Sequence, residues 1–319
     1  MRALRVHEPI GPDGLRLDHV DVPAAPDHAA VRVAVHAAGV GFVDTLLVRG
    51  RYQVRPEPPF VPGLEVAGSV EVAPAGSGFA HGDPVVGHVM GGGFAETAWV
   101  PAARLAPLHP ALDAVQGAAS VVNHHTALVA LQRRARLRPG ERVLVHGAGG
   151  GLGSAVVQVA AALGAEVVAV AGSPERRALA HRAGATAVHG PDGWADAVHA
   201  AGGVDVVVDP VGGAAFEQSV RCLAPEGRIV TVGFTSGTIP TVTADRLLRS
   251  NVTVVGCAWR ELLDTGPALF AETARRLDGL IDAGLRPLVD ATFDLADGAA
   301  ALRRIEDRAA VGKIVLTTR

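Results

Sequence analysis

The segment Val143-Leu144-Val145-His146-Gly147-Ala148-Gly149-Gly150-Gly151-Leu152-Gly153 limits what this chain can fold into more than any other stretch. A β-branched apolar run ends in a glycine cluster, and Ser154 to Leu163 (SAVVQVAAAL) reads as the helix that follows. Strand, tight turn and helix start form the geometry that seats a dinucleotide pyrophosphate on backbone N–H groups at a helix N-terminus. The spacing is G-x-x-G-x-x-G at Gly147, Gly150 and Gly153, not strict G-x-G-x-x-G. The turn alone therefore also fits a plain βα connection, and its context has to decide.

Downstream, apolar strands alternate with helices. Strands are predicted at Arg142–His146, Glu166–Val170, Val204–Asp209, Arg228–Gly233 and Val252–Gly256, with helices after Gly153, after Ser173 and over Ala214–Leu223. Buried strands alternating with helices imply a parallel sheet covered on both faces. The first third is different: strand-like runs at Ala29–Val35, Val66–Val72, Pro84–Val89 and Phe94–Val100 are broken by Pro and Gly. They predict a partly open β-barrel with little helix. Helical periodicity appears at Asp113–Ser120 and Thr126–Ala135, and two more helical patterns follow Pro267 before the strand Lys313–Thr317. The simplest organisation is a β domain over 1–120, completed by 261–319, around a doubly wound domain at 121–260.

Composition removes several function classes. The 319 residues are 49% hydrophobic with a net charge of −3 and no basic block, so no nucleic-acid partner is expected. No run suggests a membrane span of about 20 residues, and the first residues lack the apolar core of a secretory signal. Cys222 and Cys257 cannot build a disulfide framework, so a cytoplasmic setting is expected. Lys313 is the single lysine among many arginines. The arginine excess reads as a coding bias, which makes the surviving lysine worth following.

The second strand of the doubly wound half points to the kind of dinucleotide. An NAD-type site places Asp or Glu at its end, about 20 residues past the glycines, on the ribose hydroxyls. Here Ala171-Gly172-Ser173-Pro174-Glu175-Arg176-Arg177 puts small residues there. Ser173 reads as an N-cap and Pro174 as the first helical residue, which places Glu175 in a first turn where it suits the helix dipole. Arg176 or Arg177 can meet a 2′-phosphate, and NADPH is expected over NADH.

The chain resembles the medium-chain dehydrogenase/reductase superfamily, and within it the zinc-independent quinone oxidoreductase branch. Five motifs in order carry the resemblance over nearly the whole length: Ala38–Thr45 (AGVGFVDT), Pro59–Gly68 (PFVPGLEVAG), the Val-Leu-Val-His-Gly turn, Val204–Gly213 (VDVVVDPVGG) and Val311–Val315 (VGKIV). It implies a Rossmann-like doubly wound parallel sheet plus a GroES-like catalytic domain. Zinc-dependent members carry Cys and His ligands where this chain has Gly41 and Leu64, and no cysteine lies between Met1 and Arg221, so no metal is expected. His124 and His125 are adjacent on a predicted helix, with side chains about 100° apart, and read as helix-surface residues rather than a ligand pair.

The implied reaction moves a hydride from NADPH to a quinone or to the activated C=C of an α,β-unsaturated carbonyl. Hydrogen-bond donors must then meet the developing oxyanion in place of a metal. The resemblance carries catalytic roles onto Tyr52, Asp44 and Thr126. Each also has a plainer reading: a ring packed in a loop, a helix cap, a helix-interior threonine. Cofactor contacts carried over are Phe42, Thr126, Gly150, Gly151, Leu152, Gly172, Ser173, Arg176, Gly233, Phe234, Cys257, Trp259 and Lys313, the last otherwise a salt bridge on an edge strand. The branch often has Asn at Gly41 and Tyr at Leu46, and their loss suggests a more apolar substrate. Gly190 stands where some relatives place an aromatic residue. Two alternatives stay open: an enoyl-thioester reductase, with Arg49, Arg51 and Arg55 meeting a CoA or carrier phosphate, and a weakly active NADPH-binding sensor. An apolar edge strand at Asn251–Gly256 suggests a homodimer.

Overall fold

The computed structural model describes residues 1–318. The chain divides into two compact units, Met1–Val122 with Thr265–Arg319, and Asn123–Asp264.

The second unit is a six-stranded parallel sheet. In spatial order its strands are Ala187–His189, Glu166–Val170, Arg142–Val145, Val204–Asp209, Leu223–Thr231 and Thr253–Gly256. The chain winds outward in one direction from Arg142–Val145, then returns and winds in the other. The order therefore reverses between Arg142–Val145 and Val204–Asp209, where open α/β sheets bind ligands beyond the strand C-termini. Val143, Leu144, Val145, Val206, Val207 and Val208 are all buried on these two central strands, as a sheet covered on both faces requires.

The first unit is built on the long strand Ala30–Val40. It pairs antiparallel with Glu65–Val72 on one side. On the other, Thr97–Pro101 takes its first half and Lys313–Thr317 its last residues. Val289–Asp294 and Leu105–Pro107 end the sheet without pairing with each other, so it stays open. Val31, Val33, Val35, Phe94, Ile314 and Leu316 lie in the core inside it. One short helix, Phe42–Leu47, follows the long strand directly.

Several boundaries differ from the sequence reading. The two helices expected at 113–120 and 126–135 are one helix, Ala114–Leu128, continued by a π-helical stretch Val129–Arg134. Its middle is buried nearly all round, so the one-sided periodicity that marks a surface helix is missing there. His124 and His125 are buried with it and are not surface residues. The outermost strand of the parallel sheet begins at Thr253, not Asn251. Asn251 takes a left-handed φ of 50° as the cap of the preceding helix Ala244–Ser250. The strand expected at Phe94–Val100 starts at Thr97, and the helix expected after Gly153 begins at Gly151.

Candidate active site

In the parallel-sheet unit, the glycines of the turn divide the work. Gly147 adopts φ 59°, the left-handed bend that leaves the strand. A Cβ on Gly153 would fall 2.1 Å from the Gly147 carbonyl oxygen, so only glycine lets the helix pack this close. A Cβ on Gly149 would fall 2.3 Å from Arg176 Cβ, so Gly149 admits the Arg176 stem over the turn. That role has no counterpart in the 147/150/153 spacing. Gly150 is the N-cap of Gly151–Ala162, and a Cβ there would meet nothing closer than 3.5 Å. Gly151 and Leu152 thus begin a helix whose first N–H groups have no intrahelical acceptor. Space, unpaired donors and the positive end of a dipole coincide there, and this cradle fits a pyrophosphate.

The neighbouring strand ends supply the rest. A Cβ on Gly172 would meet nothing within 4 Å. Ser173 caps the helix Pro174–Arg182, its Oγ accepting from the Arg176 N–H at 3.3 Å. The backbone N–H of Glu175 itself and the Ser173 hydroxyl hold the Glu175 carboxylate below its usual range. It sits in the first turn, where it suits the helix dipole. Arg177 donates to the Gly172 carbonyl at 2.9 Å, which ties its guanidinium to the loop. At the next strand end Asp209 is fully buried and accepts from the Val211 and Gly212 N–H groups at 2.7 and 3.0 Å. The loop it shapes bonds to the one carrying Gly233 and Phe234: Thr235 N–H donates to the Pro210 carbonyl, and Ser236 N–H to that of Val211. Phe234 is exposed.

Thr126, His124 and His125 are buried on the long helix. His124 Nε2 lies 3.1 Å from Gln158 Oε1, while the His125 ring lies 5.6 Å from that of Trp259. The two imidazoles have different neighbours, as adjacent helix positions require. Burial pushes the Cys257 thiol up to about 11, so it stays protonated at neutral pH and offers no thiolate. His146, the residue before the turn, is buried with Nε2 at 2.7 Å from Ser219 Oγ. The Ser219 hydroxyl donates to the Ala215 carbonyl, so the ring N–H is the donor of the pair. Burial pushes His146 down to about 4.

In the other unit, the short helix Phe42–Leu47 starts at Gly41. Asp44 accepts from the Gly41 N–H through Oδ2 at 2.8 Å and from the Gly63 N–H through Oδ1 at 3.2 Å. It is 2% exposed, and burial pushes its carboxyl up to about 7. Phe42 is exposed and Tyr52 half-buried in the loop beyond the helix. Lys313 does not sit on an edge strand. Its strand lies between two others, and its ammonium is buried and paired with Glu65. The Glu65–Lys313 pair was not visible in the sequence; the single lysine was the only signal. Arg49 is bonded through two guanidinium nitrogens to Glu306 at 2.6 and 2.8 Å, which takes it away from the phosphate role considered above.

Among the described residues no group of three or more His, Cys, Asp or Glu side chains comes together to hold a metal ion. The positions expected for the first ligands are Gly41 and Leu64. Among the described residues, no helix is long and apolar enough to cross a membrane.

An alcohol dehydrogenase GroES-like domain model matches residues 27–110, and a zinc-binding dehydrogenase model matches residues 151–277. The fold is thus that of a medium-chain dehydrogenase/reductase, with a Rossmann-type sheet and a GroES-like unit. The chain is 37% identical over 299 residues to a quinone oxidoreductase-like protein 2 homolog of Nematostella vectensis, covering 91% of this chain and 82% of that one. It is similar in structure to a probable oxidoreductase of Mycobacterium abscessus, with a TM-score of 0.92 and 40% identity over 99% and 98% of the two chains. It is also similar to the quinone oxidoreductase of Thermus thermophilus, solved alone and with NADPH, at a TM-score of 0.84 and 37% identity over 99% and 100%. The chain belongs to the quinone oxidoreductase family.

Proposed function

We propose that this protein is an NADPH-dependent, metal-independent oxidoreductase that reduces a quinone or the activated C=C of an α,β-unsaturated carbonyl. The observation that carries the reading is the cradle at Gly150–Leu152, open space over unpaired helix N–H groups at the reversal point of a parallel sheet. The NADPH complex of the Thermus relative supports the choice of dinucleotide. So does the run of small residues after the second strand, with Glu175 set in the first turn of the helix that Ser173 caps.

Gly150, Gly151 and Leu152 would hold the pyrophosphate through backbone N–H groups. Gly172 leaves room for the ribose, and Ser173 and Arg176 would meet the 2′-phosphate. We assign the phosphate to Arg176, whose stem lies over the glycine turn where Gly149 lacks a Cβ. Gly233, Phe234, Cys257, Trp259, Thr126 and Phe42 would line the rest of the dinucleotide. When bound, the dihydronicotinamide supplies a hydride. The protein's task is to orient the acceptor, exclude water and place donors where negative charge develops. Tyr52 and Thr126 are the hydroxyls proposed for that, with Asp44 fixing the Gly41 turn that precedes Tyr52 in sequence. The outermost strand Thr253–Gly256 has one free edge, which we propose pairs with its copy in a homodimer.

NADPH oxidation by chelator-treated protein tests the reading, with a quinone, a simple enone and an enoyl-CoA as acceptors and NADH as control. Turnover of the quinone or enone supports it. Preference for the enoyl-CoA replaces it with the thioester reductase. Tight NADPH binding with no turnover of any acceptor sinks it in favour of a sensor. Arg176→Ala is expected to weaken NADPH binding by about 10- to 100-fold, the worth of a charge-assisted phosphate contact, and to leave NADH binding unchanged. A monomeric mass in light scattering would end the dimer proposal.

A further inference from the structure

With 29 Lys and Arg in all and one lysine, the chain uses arginine 28 times. The exception is also the cation most deeply placed. Lys313 is 4% exposed, and its ammonium is bonded to Glu65, itself 2% exposed. The other Glu65 oxygen accepts the Val122 N–H at 2.7 Å. The carboxylate fills the space where Gly39 lacks a side chain: a Cβ there would lie 2.5 Å from Glu65 Cδ. On the opposite side, a Cβ on Gly41 would lie 3.8 Å from Lys313 Nζ and 3.6 Å from Asp44 Oδ2. The ammonium is therefore packed against the turn that starts the Phe42–Leu47 helix. Asp44 holds that turn from within, through the Gly41 and Gly63 N–H groups.

Each carboxylate oxygen in the cluster already accepts one bond. Glu65 has one oxygen for Lys313 and one for Val122. Both Asp44 oxygens accept backbone N–H groups. A compact ammonium fits this arrangement. A planar guanidinium with five donors would bury several of them without acceptors and press on the Gly41 turn.

We propose that Lys313, through Glu65 and Asp44, is a positioning residue that sets the Gly41–Phe42 turn for hydride transfer, and that only lysine can do it. This rests on the reading that the turn belongs to the hydride-transfer site. It differs from a direct cofactor contact by Lys313, because the ammonium is buried and paired with Glu65 and acts through the turn. The groups that face Asp44 are Lys313, which lowers its pKa, and Glu65, which raises it by less; burial outweighs both and leaves it near 7. The turn is thus coupled to a proton, and removing the ion pair moves that ionisation upward.

Two variants test this, Lys313→Arg and the double variant Lys313→Met with Glu65→Gln. The double variant removes both charges together, so it avoids leaving one buried alone and keeps the test available if Lys313→Arg does not fold. Amide hydrogen exchange of residues 41–48 is read against residues 143–163, which serve as the internal control. Turnover is read as kcat and KM from pH 5 to 9. In both variants exchange over 41–48 is expected to quicken by roughly 10-fold or more with 143–163 unchanged. The value of kcat is expected to fall on the order of 10- to 100-fold, the scale of a misplaced reacting group. In the double variant the pH limb near 7 moves to higher pH. Unchanged exchange, or quicker exchange with unchanged kcat and an unmoved limb, overturns the proposal and leaves the pair as a stabilising contact. Should the wild type turn over no acceptor, the reductase reading fails by itself, and NADPH affinity replaces kcat as the functional readout: a roughly 10-fold weakening in both variants supports the positioning role, and no change overturns it.

Discussion

The two units bury titratable side chains with opposite results. His146 lies under the glycine turn against the neutral Ser219 hydroxyl and the edge of Trp194, with ring centroids 4.7 Å apart. Burial alone, with no charged neighbour contributing, drives it to about 4, and it stays neutral at working pH. Asp44 lies in the other unit beside an ion pair and two backbone N–H groups. The same desolvation is opposed there, and the carboxyl ends near 7, where a proton comes and goes. The cradle for the dinucleotide is made of backbone dipoles and a neutral imidazole, which do not change with pH. The cluster behind the short helix is made of ionisable groups, which do.

The sharpest way to break the comparison is to unbalance the charged side. Lys313→Met or Glu65→Gln alone leaves one buried charge without its partner and is expected to cost about 3–5 kcal/mol in urea unfolding. The double variant should cost much less. A single variant as stable as the double one would mean that water reaches the cluster.

The pH dependence of stability separates the regions by sign. Asp44 has a folded pKa above its unfolded value of 3.8, so its contribution is full below about 4 and is lost as pH rises to about 7. His146 has a folded pKa below its unfolded 6.5, so its contribution is full above 6.5 and is lost as pH falls to about 4. Across its window Asp44 is worth about 4 kcal/mol and His146 about 3 kcal/mol. Urea midpoints at pH 4.5 and 7.5 should shift toward relatively greater high-pH stability in Asp44→Asn, and in the opposite sense in His146→Gln. Equal shifts in one direction would contradict the contrast.

Smaller effects sharpen the neutral side. Gly153→Ala forces a Cβ onto the Gly147 carbonyl and should cost about 1–3 kcal/mol in a thermal melt while weakening NADPH binding. Ser219→Ala leaves the His146 N–H without its acceptor, at about 1–3 kcal/mol and with little change in binding. Least of all, Cys257 should alkylate at pH 7.5 far more slowly than a free thiol, since burial holds it protonated.

Much of the parallel-sheet unit was legible from the sequence because its signals are local. Apolar β-branched runs, the glycine cluster and the Ser173-Pro174 helix start each lie within a few residues, and each reports the backbone directly. The helix Ala114–Leu128 was misread as two because burial on all sides erases the period. The fate of His124 and His125 was misread with it. The role of Gly149 was missed because the side chain it admits, Arg176, comes from the next helix.

The sequence by itself determined the alternation of strands and helices, the turn at Gly147–Gly153, the missing metal-ligand types and the solitary lysine. Only the tertiary structure decided that Lys313 meets Glu65 across 248 residues of chain, that Asp44 faces them both, and that Arg49 is held by Glu306. The division has a physical cause. Backbone preference is set by neighbours along the chain, whereas desolvation and charge pairing exist only once distant segments have excluded water together.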